Sequence, residues 1–354
     1  MSDKKLMKGN EAIAEAAIEA GCRFYFGYPI TPQTEVAAYM AKRMPKIGGV
    51  FLQAESELAA VNMVYGVASA GKRAMTSSSS PGISLKSEGI SYLAGCDLPA
   101  LIVNVQRGGP GLGGIQPSQS DYFQATRGGG HGDYHILVLA PASVQEMADF
   151  TVKAFDLADK WRVPAMLLSD GTLGQMMEPV SMEHYEAKQF DKPWAVTGTG
   201  MAREHNIINS LYLDPQKLEI ENFRRYERYE RIKAEEAMWE EYLLDDAEIC
   251  VTAYGISARV ARSAVIAARA QGIKAGMIRP QTLWPFPVKP FEDSLEHVRA
   301  YIDVEMSMGQ MIEDVRLATR CARPVYLSNR VGGMIPSTEQ VLAKVKEIAG
   351  GLDK

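Results

Sequence analysis

A chain of 354 residues is too long for one ordinary core and predicts two domains. Its 46% hydrophobic and 23% charged residues exclude a disordered or fibrous chain, and a net charge of −5 with both signs interspersed leaves no footprint for nucleic acid or an anionic membrane. No uncharged run approaches the roughly 18 residues of a membrane span, and Met1-Ser-Asp-Lys-Lys5 lacks the apolar core of a signal peptide, so a cytoplasmic protein is expected.

Asn10 is expected to cap a helix with Ile13, Ala16, Ala17 and Ile18 on its apolar side, ended by Gly21 in the left-handed conformation. The apolar run Arg23-Phe-Tyr-Phe26 reads as a strand, followed by Tyr28-Pro-Ile-Thr-Pro32 and a helix from about Pro32 to Met44. Thr31 before Pro32 reads as a helix N-cap, with proline at the first helical position where its missing N–H costs nothing. In an open α/β sheet that corner lies at the carboxyl edge, where ligands bind beside helix N-termini. Thr31 therefore either only caps its helix or also contacts a ligand. A second strand, Val50 to Gln53, precedes Ala54-Glu-Ser-Glu-Leu58 and a helix carrying Leu58, Val61, Val64 and Tyr65 that stops at Gly71. Glu57 falls in its first turn.

The alternation continues with a strand from Arg73 to Thr76, the loop Ser77-Ser-Ser-Ser-Pro-Gly82, a helix to about Ala94 and a strand from Ala100 to Val105. A fifth strand, Ile136 to Ala140, leads into a helix from Ser143 to about Lys160, and a sixth spans Pro164 to Leu168. Such βαβ alternation of short apolar runs predicts a parallel sheet covered on both faces, with the first domain at 1–179. Residues 180–246 read as a connecting arm. Within it Asp214-Pro215 opens a strongly charged helix whose narrow stripe of Leu218, Phe223, Tyr226, Ile232, Met238 and Tyr242 suits a solvated helix across the domain junction. A second α/β unit at 247–354 has strands at Glu248 to Tyr254, Lys274 to Ile278, Ala300 to Val304 and Val325 to Leu327, with helices at Ala258 to Ala270 and Gly309 to Thr319. Its turn Tyr254-Gly-Ile-Ser257 is not G-x-G-x-x-G, which argues against a Rossmann cofactor.

Cys22, Cys96, Cys250 and Cys321 lie far apart with no C-x-x-C pair, so the sequence offers neither an iron–sulfur nor a zinc site, and buried thiols are expected. Thr31, Glu57 and Arg107 each follow a strand's carboxyl end, so a hydroxyl, a carboxylate and a guanidinium should converge on one sheet edge, as a small anionic substrate requires. Taken singly, Glu57 could be a charge placed at a helix N-terminus and Arg107 a surface ion pair. Gly108-Gly-Pro-Gly-Leu-Gly-Gly114 lacks the Gly-Lys-Ser/Thr of a phosphate loop, and with Arg127-Gly-Gly-Gly-His-Gly132 reads as mobile loops over the site. No carboxylate or thiol pattern completes a metal set with His131 and His135.

Tyr28-Pro-Ile-Thr-Pro32, Gln53-Ala-Glu-Ser-Glu57, Thr76-Ser-Ser-Ser-Ser-Pro-Gly82 and Gln106-Arg-Gly-Gly-Pro-Gly111 resemble the alpha-type subunit of the 2-oxoacid:ferredoxin oxidoreductases. So do Gly128-Gly-Gly-His-Gly-Asp133, Ser169-Asp-Gly171 and Arg279-Pro-Gln-Thr-Leu-Trp-Pro-Phe-Pro287, which extends the resemblance over nearly the whole chain. The 2-ketoisovalerate (3-methyl-2-oxobutanoate) branch is the most similar, then the 2-oxoglutarate branch. The resemblance implies two doubly wound α/β domains, one like the pyrimidine-binding domain of thiamine diphosphate enzymes and one like the transketolase C-terminal domain. It implies that Glu57, rather than Glu55, approaches N1′ of the cofactor's aminopyrimidine as the catalytic carboxyl, and that Thr31 and Arg107 hold the 2-oxoacid.

The implied reaction is CoA-dependent oxidative decarboxylation of a branched-chain 2-oxoacid to acyl-CoA and CO₂, with ferredoxin as acceptor. The chain departs from thiamine diphosphate enzymes in having no Gly-Asp-Gly; Gly132-Asp133-Tyr134 and Ser169-Asp170-Gly171 match only in part. Thiamine diphosphate and Mg²⁺ are therefore expected to be shared with a beta-type subunit, and the iron–sulfur clusters to lie in partner subunits, among them a gamma-type one. No nucleic-acid or membrane partner is expected. The competing reading is a non-catalytic α/β module that binds an anion or scaffolds a complex, and Glu57 separates the two, since a carboxylate-binding module has no use for a second carboxylate beside it.

Overall fold

The computed structural model describes residues 4–182 and 185–352. The first part runs β1 (Lys5–Lys8), α1 (Gly9–Glu19), β2 (Phe24–Gly27), α2 (Thr34–Arg43), β3 (Val50–Gln53), α3 (Glu57–Ser69), β4 (Ala74–Ser78), α4 (Pro81–Gly95) and β5 (Leu101–Gln106). It continues through α5 (Tyr122–Thr126), β6 (Leu137–Leu139), α6 (Val144–Trp161), β7 (Ala165–Asp170), α7 (Gly171–Gln175) and β8 (Met177–Val180). After an irregular arm come α8 (Pro215–Glu236), β9 (Trp239–Tyr242), β10 (Ile249–Thr252), α9 (Gly255–Arg269), β11 (Ala275–Pro280) and β12 (Thr282–Trp284). The chain then passes through α10 (Lys289–Ser294), β13 (Ala300–Glu305), α11 (Met311–Ala318), β14 (Val325–Asn329) and α12 (Thr338–Leu352).

The larger sheet has the order β12-β6-β7-β5-β4-β2-β3, parallel except where β12 joins β6. Strands β4, β5 and β7 are buried at every position, as unbroken apolar runs require when helices cover both faces. Helix α1 packs with α2 and α6, and α3 with α4. The smaller sheet, β14-β13-β10-β11-β9, is parallel apart from β9 and packs against α9 and α12. One continuous apolar core runs from the larger sheet across the junction to Tyr254, Ile278, Trp284 and Tyr301.

Three long-range features depart from the local reading. Strand β1, with lysine at both ends, pairs antiparallel with β8 on the far side of the first half. After Pro280 the chain leaves the smaller sheet and adds β12 to the edge of the larger one, fixed by Ala140 N donating to Gln281 O at 2.8 Å. Arg279 marks the crossing, with its guanidinium donating at 2.6 and 2.8 Å to the Glu146 carboxylate and at 2.8 Å to Glu240. Helix α8 begins with Asp214 as its cap, but its buried face is Arg225, Tyr229 and Ile232, while Leu218, Phe223 and Tyr226 are exposed and Tyr242 belongs to β9. Arg224, Arg225 and Arg228 all donate to the single buried carboxylate of Asp97. Burial disfavours that carboxylate, and the Arg228 and Arg224 guanidinium groups overcome it and hold its pKa below the ordinary value. The helix is thus pinned near its middle, by charge at Arg224, Arg225 and Arg228 and by aromatic packing of the adjoining Tyr229 on Trp284. Asn10, expected as a cap, lies inside α1, which starts from Lys8. Cys22, Cys96 and Cys250 are buried, whereas Cys321 is exposed.

Candidate active site at the carboxyl edge of the larger sheet

Ser56 begins α3, its Oγ accepting from Ala59 N at 3.1 Å, so Glu57 is the first helical residue. Its side chain is only 6% exposed, whereas Glu55 two residues earlier is exposed. A carboxylate is held out of water here by the shape of the next βα corner. At Gly82 a Cβ atom would lie 2.0 Å from Ser78 Oγ and 2.8 Å from Glu57 Oε1. The missing side chain is the cradle for that carboxyl.

That corner, Ser77 to Ser80, is buried throughout, and among the described residues Ser78 Oγ, Ser79 Oγ and Thr76 Oγ1 have no hydrogen-bond partner. Ser80 has a φ of 30°, a sparsely populated conformation costing on the order of 1–3 kcal/mol. It is held there on three sides. Its N–H donates to Asn104 Oδ1 at 3.1 Å, its hydroxyl donates to Asp121 Oδ2 at 2.6 Å, and it accepts from Arg107 N at 3.0 Å. Burial raises the Asp121 carboxyl above its ordinary pKa, opposed by the hydrogen bonds from Ser80 and Asn104.

Arg107 is 7% exposed. Its Nη1 donates to Thr31 O at 3.0 Å and its Nη2 to Leu112 O at 3.1 Å, while Nε is buried without a partner. Among the described residues no carboxylate pairs with it, so a surface ion pair is not its role. The guanidinium joins Thr31 to the glycine-rich stretch 108–114 at the sheet edge. Thr31 itself is exposed and does not cap α2. Gln33 occupies that position, buried, donating to Tyr28 O at 3.3 Å and accepting from Ser77 Oγ at 2.5 Å. With the Thr31 carbonyl taken by Arg107 and the Pro32 carbonyl by Asn10 Nδ2 at 2.8 Å, the helix starts beyond both. Thr31 and Arg107 thus meet directly, and Glu57 joins them through the serine corner that all three elements share.

Local reading missed several groups here. Asn104 and Gln106 are polar side chains in the otherwise apolar β5. Lys86 on α4 is fully buried, with Nζ donating to Glu57 O at 3.2 Å. Asp170, in one of the partial motif matches, is buried and caps α7 by accepting from Thr172 N at 2.8 Å and Leu173 N at 3.1 Å, and burial pushes its pKa up to about 6. His135 stacks on Trp284 with ring centroids 4.7 Å apart, and burial lowers its pKa. Among the described residues no group of three or more His, Cys, Asp or Glu side chains could hold a metal ion. Gly129 and Gly130 lie against Ser87 of α4, and among the described residues no helix is long and apolar enough to cross a membrane.

A family model described as pyruvate flavodoxin/ferredoxin oxidoreductase, thiamine diP-bdg, matches residues 15–240, and one described as pyruvate:ferredoxin oxidoreductase core domain II matches residues 247–341. The chain is 53% identical over 347 residues, 98% of each chain, to a ketoisovalerate oxidoreductase subunit VorB of Methanothermobacter thermautotrophicus. It is 37% identical, over 98% of this chain and 99% of the relative, to a 2-oxoglutarate synthase subunit KorA of Methanothermobacter marburgensis. The solved 2-oxoglutarate:ferredoxin oxidoreductase from Magnetococcus marinus, with 2-oxoglutarate, coenzyme A and succinyl-CoA bound, matches with a TM-score of 0.89 and 30% identity, covering 98% of this chain and 66% of that one. A split-gene transketolase matches in fold alone, with a TM-score of 0.61 at 15% identity. The chain belongs to the 2-oxoacid:ferredoxin oxidoreductase family, as its alpha-type subunit.

Proposed function

We propose that this subunit forms half of the active site of a CoA-dependent enzyme that oxidatively decarboxylates 2-ketoisovalerate, with ferredoxin as electron acceptor. The observation that carries it is Arg107, a buried guanidinium bonded only to neutral carbonyl groups and seated beside Thr31. A 2-oxoacid carboxylate supplies the missing charge through parallel charge-assisted hydrogen bonds. The branched substrate is favoured over 2-oxoglutarate by the greater identity to the ketoisovalerate relative, 53% against 37%.

The Glu57 carboxyl, cradled at Gly82 near the buried Ser78 hydroxyl, is the group that would meet the edge of an aminopyrimidine. When bound, thiamine diphosphate supplies a carbon nucleophile for the keto carbon and an electron sink for loss of CO₂. Glu57 holds and returns a proton at the aminopyrimidine nitrogen, and its burial keeps water from competing for that hydrogen bond. Arg107 binds and orients the substrate carboxylate, and the Thr31 hydroxyl donates beside it. The diphosphate and Mg²⁺ do not fit here, because the sequence has no Gly-Asp-Gly and the described residues offer no metal cluster. We assign them to a beta-type partner, the iron–sulfur clusters and the gamma-type role to further subunits, and the assembly to the cytoplasm. We divide the chain at 179 and 246 into a pyrimidine-binding-like domain, an arm and a transketolase C-terminal-like domain.

The test is co-expression with those partners, followed by CoA-dependent dye reduction on a panel of 2-oxoacids. Preference for 2-ketoisovalerate supports the assignment. Preference for 2-oxoglutarate moves the chain to the other branch, and anion binding without turnover leaves it a non-catalytic module.

A further inference from the structure

We propose that Lys86 is a positioning residue for the reaction, a buried ammonium that acts through Glu57; this rests on the reading of Glu57 given above. Lys86 lies on α4 with no exposed surface, and its Nζ donates at 3.2 Å to the carbonyl of Glu57, the first residue of α3. Glycines on both sides let the helices close over it. Gly82 and Gly89, one helical turn before and one after, face α3 so tightly that a Cβ would fall 2.8 Å from Glu57 Oε1 and 2.4 Å from Val61 Cγ1 respectively. The face made by residues 82, 86 and 89 is therefore flat except for one long side chain laid into the seam beneath the Glu57 turn.

Packing alone does not call for a cation in that seam. A methionine has similar length, fills the space and avoids the cost of desolvating a charge. Burial lowers the lysine pKa to about 8, and the charge of Glu57 is what opposes the fall. Among the ionisable groups on the elements packed around it, Glu57 on α3 is the one whose charge bears on Lys86, and Glu88 on its own helix is exposed. Near pH 7 the lysine stays largely protonated, a cation bonded to the Glu57 carbonyl and within electrostatic reach of its carboxyl in a seam that water screens little. A fixed cation there ties down the first turn of α3 through the Glu57 carbonyl and sets a positive charge beneath the side chain that turn carries.

Melting curves and kinetics of Lys86→Met and Lys86→Gln test this. In the full chain, Lys86→Met removes a buried charge and should melt above wild type at pH 7. Between about pH 8 and pH 10.5 the native lysine has given up a proton that the unfolded chain still holds, so wild-type stability rises with pH and the gap closes. In the assembled complex, kcat of Lys86→Met should fall roughly tenfold or more with KM for the 2-oxoacid unmoved, a smaller loss than the ~10²–10⁴-fold expected for Glu57→Gln. Lys86→Gln keeps a donor for the Glu57 carbonyl but no charge, and should fall alike. Wild-type kcat in Lys86→Met beside an inactive Glu57→Gln overturns this inference alone. Full kcat in Lys86→Gln reduces Lys86 to a backbone tie, and a lower melting point in Lys86→Met makes it a packing residue, each against the proposal. A fully active Glu57→Gln overturns the reading of the site and this inference with it.

Discussion

The two sheets present the same kind of edge, the carboxyl ends of parallel strands, and use it in opposite ways. At the smaller sheet the edge is closed by a loop from the first half. Gln119 Nε2 donates to Tyr254 O at 2.8 Å, and its Oε1 accepts from Ser257 Oγ at 2.8 Å and Met306 N at 2.9 Å. Glu305, at the end of β13, accepts from Ser307 Oγ, Gln310 N and Ile312 N. At the larger sheet the corresponding groups are buried and left open, namely Ser78 Oγ, Ser79 Oγ and Arg107 Nε. A buried polar group without a partner costs about 1–3 kcal/mol, so several at one edge are tolerated where a ligand completes them. The smaller edge is covered by a loop of the first half, and the larger one carries the proposed site. Among the described residues Thr252 Oγ1, at the carboxyl end of β10, and both oxygens of Asp303 beside it on β13 also lack partners, so the smaller edge is closed only in part.

The contrast breaks most visibly at Glu57. Glu57→Gln should lower kcat of the assembled complex by ~10²–10⁴-fold with assembly intact, while Glu55→Gln, at an exposed position, should do far less. Equal losses at both would mean that the buried carboxyl is not the one that matters. Arg107→Met comes next. An unpaired substrate carboxylate should cost about 2–5 kcal/mol in kcat/KM, and lysine should rescue only part, since a point charge cannot reproduce two-pronged geometry. Both 2-ketoisovalerate and 2-oxoglutarate carry the 1-carboxylate, so both should suffer. A loss confined to 2-oxoglutarate would put Arg107 against the distal carboxylate instead.

Asp170 sits where the two edges meet, its Oδ2 3.6 Å from where a Cβ on Gly255 would lie. Burial raises its pKa from 3.8 to about 6, so between those values the folded chain holds a proton that the unfolded chain has released. Its contribution is full below about pH 4 and lost as pH rises through 6, a change of about 3 kcal/mol at 1.36 kcal/mol per pKa unit. Asn keeps an oxygen for the Thr172 and Leu173 N–H groups but does not titrate. Urea unfolding from pH 4 to 7 should show wild-type stability falling relative to Asp170→Asn, and parallel curves would mean that Asp170 is ionised throughout.

What could be read locally was what local residues decide. Val50–Gln53 and the first turn at Glu57 follow from an apolar run, the helical period of Leu58, Val61, Val64 and Tyr65, and a glycine stop at Gly71. Arg107 was placed correctly past a strand end, but its partners, Thr31 and Leu112, come from chain folding back. Thr31 was misread as a cap because the competitor for its carbonyl lies 76 residues away. Strand β1 was invisible, since its partner β8 completes it only in three dimensions, and the crossing of β12 into the larger sheet has no local signal. Lys86 hid behind the ordinary expectation that a lysine on a helix is solvated. Only the glycines at 82 and 89, spaced to its own face, hinted at the close approach that buries it.

The mildest test pairs two serines. Ser257 belongs to the closed edge and gives one hydrogen bond to Gln119 Oε1, which Met306 N still satisfies after Ser257→Ala. The loss should be about 0.5–1.5 kcal/mol of stability, the net worth of one bond whose partner is not stranded, with kcat/KM of the complex unmoved. Ser78 belongs to the open edge, where its hydroxyl is buried against Gly82 with no partner. Ser78→Ala removes an unsatisfied group without opening a cavity larger than one atom, so the chain should be as stable as wild type or slightly more so. Its effect should fall on kcat/KM, because a hydroxyl kept at that cost next to the Glu57 carboxyl is completed only when the site is occupied. The two alanines should thus separate in opposite directions on the two measurements. If Ser78→Ala instead destabilises the chain as Ser257→Ala does and leaves turnover alone, the open edge is merely structural like the covered one and the contrast between the sheets fails.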